Sequence, residues 1–186
     1  MSIRSVDRTG EILRYSNVQR AARFIYLNKA GYNGLWRVNS KGQNNVPYGS
    51  HKKINVPEKV IIQDSKYLKE NNVKILNQNY TEAITSAKEG DFVYFDPPYI
   101  PVNQTANFTN YTPNGFVLVQ QKILRDTALQ LASKGGNVML SNADLPLTAK
   151  LYSNPEFKIH HVQAKRSINS NGTKRGKVGE VIITTY

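Results

Sequence analysis

Hydrophobic spacing first becomes periodic between residues 16 and 31. Val18, Ala21, Ala22 and Ile25 fall at i, i+3, i+4 and i+7, with Ser16 placed as an N-cap and Gly31 as a terminator. This predicts a helix with one buried stripe. Residues 32–54 carry Gly34, Gly42, Gly49, Pro47 and several asparagines with no sustained period, which predicts an ordered loop or short hairpins. Pro57 suits the first turn of a second helix running to about Asn71, followed by a short β-type run at 73–76. The pattern then alternates: a helix near 81–88, a strand at 92–95, a long helix at about 116–133 and a strand at 138–141. Such βαβ rhythm, with strands written as apolar runs, predicts an α/β fold around a parallel sheet covered on both faces. Segments 158–162 and 181–185 flank Asn171-Gly172, a hairpin-turn pair, so the C-terminal part is expected to be antiparallel.

Charge changes this picture by its location. Of 25 Lys/Arg, ten lie in residues 1–56 against two acidic groups, and five lie in residues 161–186 against one; residues 57–160 balance at ten each. A neutral middle flanked by basic segments fits a core whose outer elements face a polyanion such as nucleic acid. At 186 residues the chain suits one well-buried domain with at most a small appended module. Its longest apolar runs are far too short for a bilayer, and its first ten residues have no apolar core, so neither a membrane partner nor a secretory signal is expected. With no cysteine there is no disulfide and no thiolate metal site, in keeping with a reducing cytoplasm. The spacing around His51, His160 and His161 proposes no metal centre.

The chemistry-bearing feature is Asp96-Pro97-Pro98-Tyr99, which closes the apolar run 92–95. Asp96 stands where the strand leaves the sheet, and in open α/β sheets ligands gather at the carboxyl ends of strands. Two prolines fix φ and remove two amide donors, so the segment is stiff and its carbonyls are free to accept. A carboxylate, a neighbouring carbonyl and an aromatic face can take the two hydrogens of an amino group while stacking on the ring that carries it. The N6 amine of adenine fits; its nitrogen, conjugated with the ring, becomes more nucleophilic as its hydrogens are drawn toward Asp96 and the Pro97 carbonyl. In duplex DNA that adenine must first leave the stack, and Tyr99 offers a surface to receive it. The tetrapeptide alone does not separate adenine, cytosine and glutamine amines.

Several further segments narrow the choice. Residues 26–28 (YLN), 31–39 (GYNGLWRVN), 45–49 (NVPYG), 94–99 (YFDPPY), 105–109 (TANFT), 140–142 (LSN), 166–168 (RSI) and 170–172 (SNG) together resemble the Dam-type DNA adenine-N6 methyltransferases of the D12 class, which modify adenine in GATC sites. The resemblance runs over almost the whole chain. It implies a Rossmann-like S-adenosylmethionine methyltransferase fold, present in part, with an inserted target-recognition module over residues 1–56, a catalytic domain over 57–186 and a C-terminal β-hairpin. It implies double-stranded DNA as partner. Arg37 is expected to read guanine, whose paired acceptors suit a guanidinium, and Leu35 and Pro47 to contact base edges or methyl groups. Tyr32, Asn33, Asn39, His51 and Lys52 are expected in the same interface. Asn107, in the stretch 106–109, is expected over the target base, and Lys165, Arg166, Lys174 and Arg175 on phosphates. Asp96, Asn79 and Tyr80 are expected to line the S-adenosylmethionine pocket.

One departure accompanies the match. The family normally begins with a Lys-containing aromatic segment and a glycine-rich loop after its first strand, and neither occurs here: Gly135-Gly136 precedes a strand instead of following one. The expectation is therefore a truncated form with an incomplete cofactor pocket. Such a form would need the missing segment or a second copy of the chain, and it would transfer methyl groups weakly or act only as a DNA-binding remnant.

Overall fold

The computed structural model describes residues 3–101, 118–165 and 177–186. They form two compact units that divide after Leu76.

The first unit is built on helix α1, Asn17–Ala30. Ser16 caps it as predicted, in a reciprocal capping box: the Ser16 hydroxyl accepts from the Gln19 amide, and the Gln19 side chain accepts from the Ser16 amide at 2.8 Å. The predicted stripe, however, is not the buried one. Val18 is 78% exposed, Ala21 and Ala22 are exposed, and the residues turned inward are Arg23, Leu27 and Ala30. The cause is electrostatic. The Arg23 guanidinium pairs with Asp7 at 3.0 Å and donates to the carbonyls of Ile3 (2.9 Å) and Arg4 (3.4 Å), tying the first N-terminal 3-10 turn, Ser5–Asp7, against the helix. A buried charge of this kind is stable only when paired, and here its partners fix the rotation of α1. Gly31 ends the helix at φ −70°, so its role is not a left-handed turn. A Cβ there would lie 2.9 Å from the Leu27 carbonyl oxygen and 3.2 Å from Val46, and the backbone at this point bridges to Tyr48. Helix α2, Glu58–Glu70, starts with Pro57 as N-cap and buries none of its residues. The run 73–76 is not a strand: no β-partner reaches it among the described residues, and its apolar side chains are exposed, Ile75 most of all. A β-propensity without a ladder to join leaves irregular chain.

The second unit carries the sheet. Its elements are α3 (Tyr80–Ala83), β1 (Phe92–Phe95), α4 (Leu118–Ser133), β2 (Asn137–Ala143), α5 (Pro146–Leu151), β3 (Lys158–Lys165) and β4 (Lys177–Thr184). The helix expected at 81–88 is reduced to the single turn of α3, and α5 had no signal in the apolar spacing. The strand order is β1-β2-β4-β3, with β1 parallel to β2 and the other pairs antiparallel, so the sheet is mixed and its C-terminal half is the expected hairpin. Leu124, Ala128 and Leu131 of α4 pack on one face against Val138, Leu140, Val181, Ile183 and Phe95, with Leu151, Tyr152 and Phe157 completing the core. Among the described residues of this unit, the opposite face is not covered at β1 as predicted. In β1 the period of two turns Phe92 and Tyr94 outward, 58% and 50% exposed, and β1 is one of the two edge strands among the described residues. That alternation places Asp96 on the open face.

Candidate target-amine site

Register builds the site. Phe95 pairs with Leu140, so Asp96 comes level with Ser141 on the next strand. The Ser141 hydroxyl donates to Asp96 Oδ1 at 3.0 Å and accepts from the Tyr94 hydroxyl at 3.0 Å. One carboxylate oxygen is thereby oriented from the sheet, and among the described residues the other, Oδ2, has no hydrogen-bond partner. Asp96 is exposed, whereas Pro97, Pro98 and Tyr99 are half-buried and Ile100 is buried. The Tyr99 hydroxyl lies 3.5 Å from Glu180 of β4. Its phenol is held above the ordinary tyrosine value, first by burial and then by the Glu180, Asp96 and Tyr94 groups, with the Ser141 hydroxyl opposing. Tyr99 is thus a neutral ring whose outer end is tethered to the sheet.

The turn is fixed from below as well. Gln121 of α4 donates to the Pro98 carbonyl at 2.8 Å and accepts from the Asn142 carboxamide at 3.0 Å; Asn142 in turn accepts from the amides of Ile100 and Ala143, both at 2.9 Å. The Pro97 carbonyl has no donor among the described residues. Among the described residues, Asp96 Oδ2 and the Pro97 carbonyl are therefore acceptors without a donor, in the same turn as the Tyr99 ring.

Asn79 and Tyr80 stand at the start of α3. Asn79 Oδ1 accepts from both the amide and the hydroxyl of Thr81 at 3.0 Å, and the Tyr80 ring meets Phe95 edge-on at 5.8 Å, directly before Asp96. Burial raises the Tyr80 phenol, with Thr127 opposing. With Asn79 Oδ1 engaged as a cap and Tyr80 packed on the core, Asp96 is the one member of this set of three that offers a free anionic group among the described residues. One carboxylate does not make a nucleoside pocket, so among the described residues the set does not fit S-adenosylmethionine by itself. No cluster of three or more His, Asp or Glu able to hold a metal ion occurs among them either.

In the first unit, Arg37 is exposed and donates to the Asn45 side chain at 2.8 Å and to the Asn45 carbonyl at 3.4 Å. Asn39 organises its own turn, accepting from the amides of Lys41 and Gln43 and donating to the Gln43 side chain, each at 3.0 Å. Pro47 is exposed and its carbonyl accepts from the Tyr32 amide at 2.9 Å; Tyr32 is exposed, Leu35 half-buried, and Asn33 takes φ +54°. His51 is exposed and meets Tyr48 edge-on at 6.2 Å; Lys52 is exposed. The structure thus brings Tyr32, Asn33, Leu35, Arg37, Asn39 and Pro47 into one loop region closed by the Gly31–Tyr48 and Val38–Asn44 bridges. Asn107 and the stretch 106–109, together with Arg166, Lys174 and Arg175, lie outside the described residues, as does the side chain of Lys165 at the end of β3. Sequence reasoning missed Gln121. Its signal was a polar residue at the head of the α4 core face, three, seven and ten positions before Leu124, Ala128 and Leu131.

Residues 2–168 match the family described as D12 class N6 adenine-specific DNA methyltransferase. The chain is 46% identical, over all of its length, to a type II methyltransferase of Lactococcus lactis subsp. cremoris, of which it covers 65%. It is 41% identical over 88% of its length to the DNA adenine methylase of Escherichia coli K12 and 39% identical to that of Vibrio cholerae, covering 58% of each. The chain belongs to the D12 class of N6 adenine-specific DNA methyltransferases. It spans less than two thirds of the length of these relatives. No described helix is long and apolar enough to cross a membrane.

Proposed function

We propose that this chain carries the target-adenine site and the DNA-reading module of an adenine-N6 methyltransferase acting on GATC-like duplex DNA. The observation that supports the catalytic half is that, among the described residues, Asp96 Oδ2 and the Pro97 carbonyl have no donor, in one turn with the neutral Tyr99 ring. An extruded adenine stacked on Tyr99 directs its two N6 hydrogens to these acceptors. Asp96 then orients the amine and stabilises the positive charge that develops on nitrogen as it is alkylated. S-adenosylmethionine supplies a methyl group on a sulfonium in such chemistry. We infer that transfer by this chain alone is slow and that it rises with a further segment of the same family fold or a second copy of the chain. The catalytic role falls on the sheet-bearing part of a partial Rossmann-like fold, within residues 57–186.

Recognition falls on residues 1–56 as an inserted module, a boundary of function that sits inside the first compact unit. Arg37 reads guanine after exchanging its bond to Asn45 for base acceptors, Leu35 and Pro47 meet apolar base edges, and Tyr32, Asn33, Asn39 and His51 lie beside them. Lys52 and the basic hairpin residues Lys165, Arg166, Lys174 and Arg175 supply phosphate contacts, with Asn107 near the target base. The test is competition of GATC duplex, scrambled duplex and single-stranded RNA for the chain at fixed salt. GATC duplex should win by at least about tenfold; equal affinity for all three contradicts the reading. Arg37→Ala should cost about 1–3 kcal/mol on GATC duplex and leave the scrambled duplex unchanged, whereas Lys52→Ala should weaken both alike.

A further inference from the structure

Two carboxamides beneath the Asp96–Tyr99 turn form a one-way chain of hydrogen bonds. The Gln121 amide nitrogen donates to the Pro98 carbonyl, the Asn142 amide nitrogen donates to the Gln121 oxygen, and the Asn142 oxygen accepts from Ile100 and Ala143. Gln121 is 2% and Asn142 0% exposed. Buried carboxamides are costly unless satisfied, and in this orientation each carboxamide both donates and accepts. A simple core would place leucine at both positions, since Gln121 lies on the α4 face that continues with Leu124 and Ala128, and Asn142 on the β2 face that carries Val138 and Leu140.

We propose that Gln121 and Asn142 are positioning residues for the target amine: they engage the Pro98 carbonyl and the Ile100 amide internally, leaving the Pro97 carbonyl as the acceptor beside Asp96. The proposal rests on the adenine-site reading above and adds to it the choice of which carbonyl serves. Without the clamp, the stiff Pro97-Pro98 segment swings as one body about its ends, and either carbonyl can face the substrate. A misplacement of even 1 Å is sufficient to lose amine recognition while leaving phosphate and recognition-loop contacts intact.

The conservative probe is Gln121→Glu. Ionised, the glutamate presents only acceptors to the Pro98 carbonyl and repels it; protonated, its hydroxyl donates to Pro98 and its carbonyl oxygen accepts from Asn142, as glutamine does. The experiment uses a GATC duplex in which the target adenine is 8-vinyladenine, a fluorescent base that keeps its 6-amino group. Fluorescence reports the unstacked, captured base, and anisotropy in the same titration reports total DNA binding. The wild-type chain should give a fluorescence rise on binding. Gln121→Glu at pH 8 should keep DNA affinity within about threefold and lose at least tenfold of the captured fraction, recovering it as the pH is lowered toward 5. Asn142→Leu with Gln121→Leu should lose capture at every pH. A doubly substituted chain, Gln121→Leu with Asn142→Leu, that captures the base normally overturns the proposal while leaving the adenine-site reading in place. A wild-type chain that binds without any fluorescence rise refutes that reading and this proposal with it. Should the variants fail to fold, amide exchange in the wild-type chain decides: the Ile100 amide should be protected at least a hundredfold relative to unstructured chain, and an unprotected Ile100 refutes the clamp.

Discussion

Single residues carry one liability and one anchor that can be tested directly. Tyr152 is 1% exposed, and among the described residues its hydroxyl has no hydrogen-bond partner. Burial chiefly drives its phenol far above the ordinary tyrosine value, with Arg125 opposing and Tyr80 adding slightly. The sign follows from linkage. The unfolded chain ionises this phenol near pH 10 whereas the folded chain holds the proton, so the contribution to stability is whole below about pH 10 and is lost as the pH rises toward the folded value. Tyr152→Phe is expected to stabilise the second unit by about 1 kcal/mol at neutral pH and to flatten its alkaline loss, read by urea unfolding between pH 7 and 11. Destabilisation at pH 7 would show that the hydroxyl has a partner. The anchor is Arg23, joined to Asp7, whose Oδ2 also accepts from the Asn44 amide at 2.8 Å. Arg23→Met should cost about 3 kcal/mol by leaving Asp7 buried and underpaired. Trp36, the single tryptophan, packed on Phe24 at 4.4 Å, reports the first unit; an unchanged unfolding midpoint would contradict the role. Sequence could not reveal Arg23 as the buried member of α1, because apolar periodicity counts an arginine as outward and only tertiary pairing reverses it.

Among elements, those whose signal is local were legible. The Ser16 cap of α1, the long α4, the 92–95 strand and the antiparallel pairing of the last two strands appear where the pattern set them, because caps and apolar runs act over a few residues; the Asn171-Gly172 turn pair lies outside the described residues. Elements that need a distant partner were not. The 73–76 run has the composition of a strand without a ladder, and α5 is held by the Thr148 hydroxyl on the Ala143 carbonyl at 2.7 Å and by burial of Leu151, neither of which a periodicity records. Of the site, Asp96 to Tyr99 was readable from chemistry, and Asn142 lay in a stretch that resembled the family. Gln121 became functional only once α4 was seen to cross beneath the turn. The same crossing makes α4 the element on which the site rests. Leu124→Ala, at a position 2% exposed against the sheet, should cost about 2–5 kcal/mol in urea unfolding of the second unit. A loss below 0.5 kcal/mol would mean that α4 does not pack as described.

At the scale of the whole molecule, the net charge of +12 with its excess at both chain ends would make the electrostatic part of the proposed DNA binding large and insensitive to sequence. Affinity for any duplex should fall steeply between 50 and 200 mM salt, and the discrimination between GATC and scrambled duplex should change much less, because base contacts release few counterions. The assignment on which the rest depends is narrower: Asp96 receives the 6-amino group of the target adenine. It is measured most directly by a thermodynamic cycle, in which wild-type and Asp96→Ala chains bind GATC duplexes carrying either adenine or unsubstituted purine at the target position. The cost of unpairing cancels between the two proteins, leaving the coupling between the carboxylate and the amino group. A favourable coupling of about 1–3 kcal/mol is predicted. A coupling indistinguishable from zero, with DNA binding intact, would contradict the assignment.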